Sequence, residues 1–136
     1  MGSRETIVDL NSDDDSKILN AIYRIDESFG DNQDVIRLLR HLTLHDNRDI
    51  REISIMRLAC RLGDRAIKDQ LKSNIFGDVD ELIFSASVRG LVCLSSASQE
   101  DRESLLSTLN LVLKEMNDAH RKQVVMQAIA DVNRAL

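Results

Sequence analysis

The sequence predicts an all-α chain of about seven helices folded as antiparallel pairs. Three observations carry that expectation. Apolar residues recur at helical spacing, as in Ile18, Ile22, Ile25 and Phe29, separated by 4, 3 and 4 positions. No segment alternates apolar and polar residues as a half-buried strand does. Proline is absent from all 136 residues, where average usage of about 5% predicts roughly seven.

The helices follow one another with short breaks. A turn near Ile7 to Leu10 comes first, and Asp13, Asp14 and Asp15 then sit where the positive end of a helix dipole favours acids, before a helix opening at Ser16. Gly30 and Asp31-Asn32 end it. Val35, Leu38, Leu39 and Leu42 mark the next helix, closed by His45-Asp46-Asn47. A helix from about Asn47 to Leu62 stops at Gly63-Asp64, and a shorter one carrying Ile67 and Leu71 stops at Phe76-Gly77. The remaining three cover about Val79 to Ser95, Ser98 to Met116 and Asp118 to Ala135. Such short loops force neighbouring helices into hairpins. No linker is long enough to divide the chain, so one domain is expected over 1–136, with a capping helix at 1–31 and pairs at 32–63, 64–96 and 98–136.

Composition removes several functions. With 18 basic and 23 acidic side chains the net charge is −5, which opposes a phosphate-gripping role. Three Phe, one Tyr and no Trp offer few stacking platforms for bases. No apolar run is long enough to span a membrane, and the N-terminus lacks the basic-then-apolar pattern of a secretory signal. Cys60 and Cys93 lie in apolar periodic runs and read as buried, reduced thiols of a cytoplasmic chain. Met1-Gly2-Ser3-Arg4-Glu5-Thr6 fits the acylation pattern through Gly2 and Thr6 but reads better as a cloning remnant.

Candidate chemistry is sparse. His41 and His45 are four apart and could converge on a metal, yet Leu-Thr-Leu between them supplies no base. Asp9, Asn11, Asp13 and Asp15 alternate like a calcium loop, but Asp14 stands where Gly is required and Asn20 where Glu is. No phosphate loop or nucleophile triad can be argued. The expectation is therefore no catalytic residue, no metal and no cofactor.

The hairpins resemble one another. Placing Asp46 on Asp78 aligns Ser54, Leu58 and Leu62 with Ala86, Gly90 and Leu94, and a further shift of 38 brings in Val124, Ala128 and Val132. Each triplet is an i, i+4, i+8 ridge with a small residue that lets a neighbouring helix approach. Within it, Asp46, Ile50, Arg51, Ser54, Leu58, Leu62 and Gly63 resemble the second helix of a HEAT-like repeat: an Asp before the helix, Ile-Arg in its first turn, a small residue and a Leu-Gly end. The second copy departs from it, with Ile83 for the Arg, Gly90 for the Leu and Ser95 for the Gly, and the third keeps Arg121 but lacks the Leu-Gly end. The resemblance covers about 32–136 and implies a short right-handed α-solenoid. It also implies Asp46 as helix cap. The His-Glu pairs of HEAT-like metal hydroxylases are missing from the sequence.

In such a solenoid the second helices line a concave binding face. The positions aligned there are Glu52, Ile53, Met56, Arg57, Phe84, Ser85, Val88, Arg89, Lys122, Gln123, Met126 and Gln127. Met and Arg centres rimmed by charge suit a protein interface. Charge is also divided along the chain: −6 over 1–36, +4 over 37–72 and −3 over 73–136. A competing acidic surface would use Asp13, Asp14, Asp15, Asp26 and Glu27. The expected function is non-catalytic binding of another protein, with no nucleic acid or membrane as partner. Small acidic proteins of this resemblance include bacterial immunity proteins, which neutralise a toxin, often a basic nuclease, by covering it. The alternative is a HEAT-like lyase or enzyme subunit, or an assembly adaptor, with a small-molecule pocket of convergent polar groups.

Overall fold

A computed structural model describes residues 3–77 and 79–135. Gly2 of the acylation pattern and Asp78 of the repeat alignment lie outside the described residues. Helix accounts for 79% of the structure, and there is no strand among the described residues. None of these helices is long and apolar enough to cross a membrane. The chain divides into two compact units, Met1–Ile67 and Lys68–Leu136.

The first unit holds α1 (Ser3–Leu10), α2 (Asp15–Tyr23), α3 (Gln33–Leu42) and α4 (Arg48–Met56). α1 packs on α2 and α3, and α4 on the same two helices, so the hairpins α1–α2 and α3–α4 lie side by side. The expected lone capping helix is thus a complete pair. Its first member carries only a turn's worth of sequence signal, because its buried stripe is Thr6 and Leu10 alone and one of those is polar. Ile18, Ile22, Val35, Leu39 and Ile50 fill the core between the pairs. Arg24 Nη2 donates to Asp9 Oδ2 at 2.8 Å and closes the first hairpin.

Asn47, not Asp46, caps α4: its Oδ1 accepts from the amides of Asp49 at 2.9 Å and Ile50 at 3.4 Å. Asp46 is exposed, one residue too early for its carboxylate to serve as the cap. Both residue types cap well, so composition could not choose between neighbours. Asn47→Ala is expected to cost about 1 kcal/mol in urea denaturation. Asp46→Ala should fall within about 0.5 kcal/mol of the parent, as for other surface changes.

α4 does not run to Leu62. From Arg57 to Arg61 it widens into a π turn, in which the Leu62 amide donates to the Arg57 carbonyl at 2.9 Å. Asp64 N then donates to Leu58 O at 2.8 Å, and Gly63, at φ 63°, supplies the left-handed residue this closure needs. Arg40 reinforces it with a fork of two bonds to the Asp64 carboxylate, at 2.8 and 2.7 Å. The expected ridge Ile50, Ser54 and Leu58 is fully buried, while Leu62, past the widened turn, is half-buried.

The second unit holds α5 (Lys68–Phe76), α6 (Glu81–Ser95), α7 (Gln99–Glu115) and α8 (Ala119–Ala135). α6 is its centre and packs on α5, α7 and α8. Asp80 caps α6 by accepting from Ile83 N at 2.9 Å, and Ser98 caps α7 by accepting from Asp101 N at 3.1 Å. Ala86, Gly90 and Leu94 are buried as the ridge requires. On α8 the buried set is Val125, Ala128 and Val132, with Val124 only half-buried.

The cysteines depart from expectation. Cys60 is half-buried, Cys93 is exposed, and neither is a free thiol. Cys93 follows the fully buried Leu91 by two residues, roughly 200° around the helix at 3.6 residues per turn, which turns it away from the core.

Candidate functional site

In the first unit the π turn places two arginines against the end of the first hairpin. The Arg57 guanidinium carbon lies 5.9 Å from the centroid of the Tyr23 ring. Tyr23 is 61% exposed, an open aromatic face beneath a cation. Arg57 Nε is buried without a hydrogen-bond partner, and among the described residues no carboxylate pairs directly with its guanidinium. Arg61 Nη1, one turn on, donates to Glu27 Oε1 at 3.3 Å.

Asp26 caps the 3-10 turn Glu27–Phe29, accepting from Ser28 N at 2.9 Å and Ser28 Oγ at 2.6 Å. The Ser28 hydroxyl and amide hold the Asp26 carboxyl below the usual range, with smaller help from Arg61 and Arg57. Glu27 is lowered first by its own backbone amide and then by Arg61. Depressed carboxyls contribute to folding fully above the ordinary carboxylate range, and the contribution fades as pH falls through the native values. Arg61→Gln should therefore raise the titration midpoint of Glu27, and more weakly that of Asp26, in carboxyl carbon NMR.

This arrangement changes the expected choice between two surfaces. Asp26 and Glu27 do not form a rival to Arg57: they share one patch of mixed charge with Arg57 and Arg61. Two of the other three acids serve the fold. Asp14 caps α2 through Ser16 N at 2.9 Å, and Asp15 accepts from Asn47 Nδ2 at 2.9 Å. Asp13 is the one of the five whose carboxylate makes no hydrogen bond or ion pair among the described residues.

The twelve aligned positions fall in both units. Glu52, Ile53, Met56 and Arg57 are half-buried in the first. In the second, Phe84 and Val88 are 0% exposed and so cannot belong to an open face. Three helices surround α6, so its apolar residues face neighbours where a helix wheel suggested solvent. Ser85 and Lys122 are half-buried; Arg89, Gln123, Met126 and Gln127 are exposed, Met126 by 57%.

The histidines do not gather a site. His45 Nδ1 accepts from Asn47 N at 3.0 Å, leaving Nε2 toward Asp15 at 3.8 Å. His41 is exposed, and no cluster of three or more His, Cys, Asp or Glu converges among the described residues.

The second unit contains a cleft of about 360 Å³ between the α5–α6 and α7–α8 turns. Ile75, Phe76, Val112 and Met116 form its apolar part, and Glu81, Glu115, Asp118 and Arg121 its charged part. Arg121 is already committed: Nε donates to Glu81 Oε1 at 2.8 Å, Nη2 donates to the Val79 carbonyl, and the guanidinium stacks 4.7 Å from the Phe84 ring centroid. Asp118 Oδ1 accepts from Arg121 N at 2.9 Å and caps α8.

Sequence reasoning missed Tyr23, Arg61 and this cleft. Tyr23 offered one signal, as an aromatic residue outside the Ile18, Ile22, Ile25 stripe. The cleft offered none, because its walls are far apart in the chain. No protein-family model, curated protein or solved structure matches this sequence.

Proposed function

We propose that the chain is a non-catalytic module that binds another protein through the Tyr23–Arg57 surface of its first unit. The observation that carries this is an exposed tyrosine stacked with an arginine whose guanidinium, among the described residues, no carboxylate holds. Tyr and Arg dominate interface energetics because each presents a large flat area and a directional polar end. Glu27 and Arg61 beside them provide a charged rim. The side-by-side packing of hairpins α1–α2 and α3–α4 supports the HEAT-like solenoid reading. A basic toxin or nuclease domain is the partner class that the −6 of residues 1–36 favours, and it would make the chain an immunity-type protein.

The test begins with the partner recovered from the native source by cross-linking, followed by affinity measurement on purified components. Tyr23→Ala and Arg57→Glu should each weaken the complex about tenfold or more, equivalent to about 1.4 kcal/mol, with the helical signal unchanged. The Arg57 effect should shrink as salt rises, since screening acts on charge and not on contact area. Unchanged affinity in both variants removes this surface from the interface.

A further inference from the structure

The cleft in the second unit is a separate feature from the Tyr23–Arg57 surface and has a definite chemical character. Its apolar wall is open, with Phe76 51% exposed and Met116 half-buried beside it. Among the described residues, three carboxylates stand against one arginine, and the roles of the four differ. Glu81 neutralises Arg121, and Asp118 is engaged by the first-turn amide of α8. Glu115 is exposed and, among the described residues, has no side-chain partner.

Backbone dipoles do not reverse this balance. Two helices end at the cleft, α5 and α7, and two begin there, α6 and α8, so their terminal partial charges oppose one another. An anion would have to approach three carboxylates, and Arg121 is already held by Glu81, the Val79 carbonyl and the Phe84 ring. A neutral apolar group would leave Glu115 without a counter-charge. A cation on an aliphatic stem answers both parts: the stem lies on Phe76 and Met116 while the head meets Glu115.

We propose that the cleft between the α5–α6 and α7–α8 turns is a binding site for an alkyl ammonium or alkyl guanidinium group, with Phe76 and Met116 taking the stem and Glu115 the charge. The group has two sources, a free amine or the lysine or arginine side chain of a protein.

The full chain, labelled at methionine methyls and backbone amides, is titrated with n-butylammonium, n-butylguanidinium, n-butanol, butyrate and inorganic phosphate. Both cations should shift the Met116 methyl and the Glu115 and Asp118 amides in a saturable way. Glu115→Gln, an exposed change that leaves the core untouched, should weaken them about three- to fivefold, as expected of one exposed charge contact. Glu100→Gln, at the far end of α7, roughly 22 Å away by helical rise, should leave both affinities unchanged. N-acetyl-lysine methylamide tells the sources apart. Binding comparable to butylammonium supports a protein side chain, and exclusion of this blocked residue alone supports a free amine. Butanol matching the cations, butyrate or phosphate saturating the same signals, an equal loss in Glu100→Gln, or no saturable shift overturns the assignment.

Discussion

Phe84→Ala should be the most destabilising single truncation in the second unit, at about 3–5 kcal/mol by urea denaturation followed through the helical signal. Phe84 is 0% exposed on the central helix, so α5, α7 and α8 are not free to collapse together into the space it leaves. The loss has a second part, because Arg121 loses the ring it stacks on at 4.7 Å. Met126→Ala on α8 is the companion measurement. Met126 is 57% exposed, so its removal should stay within about 0.5 kcal/mol. Near-equal effects would mean that α6 is not the packed centre of its unit.

Asp64→Ala should cost about 2 kcal/mol, the next largest effect. Its carboxylate is 8% exposed, takes both bonds of the Arg40 fork and also accepts from Ala66 N at 3.4 Å. The figure sits below the range for breaking fully buried pairs because the Arg40 side chain is 41% exposed and solvent screens it. The pair raises the Arg40 pKa, through the hydrogen bond to Asp64 first, so on the alkaline side its contribution persists up to the unfolded arginine value and is lost as pH rises through the folded one. A double-mutant cycle with Arg40→Met and Asp64→Ala should return a coupling of about 1 kcal/mol or more, since the two residues touch. Additive losses would show that Asp64 matters only as a local turn residue.

The parts of the fold legible in the sequence were those fixed by local periodicity. Ile18, Ile22 and Ile25 are buried as expected, but α2 ends at Tyr23 and Phe29, in a 3-10 turn, is half-buried; α6 to α8 begin and end, and α5 ends, within about two residues of the positions their patterns implied. The failures share a cause, namely information that local pattern does not hold. Phe84 and Val88 appeared exposed on a wheel because a single helix cannot report how many neighbours surround it. α1 was shortened because Thr6 carries half of its buried stripe. The candidate site was legible only in part. Arg57 was identified through its repeat position, but Tyr23 comes to it from 34 residues earlier, by packing of α2 on α4.

The widened turn at Arg57–Arg61 also bears on how this chain is to be compared with others. A π turn bonds i to i+5, which amounts to one residue inserted into an α-helix. At a fixed offset of 32, buried Ser54, Ile55, Leu58 and Ala59 fall on buried Ala86, Ser87, Gly90 and Leu91. Beyond the insertion the same offset pairs half-buried Leu62 with buried Leu94. A comparison with other helical pairs at a fixed offset should therefore stop at this point, since the helix of α4 closes after Arg61 whereas α6 continues to Ser95.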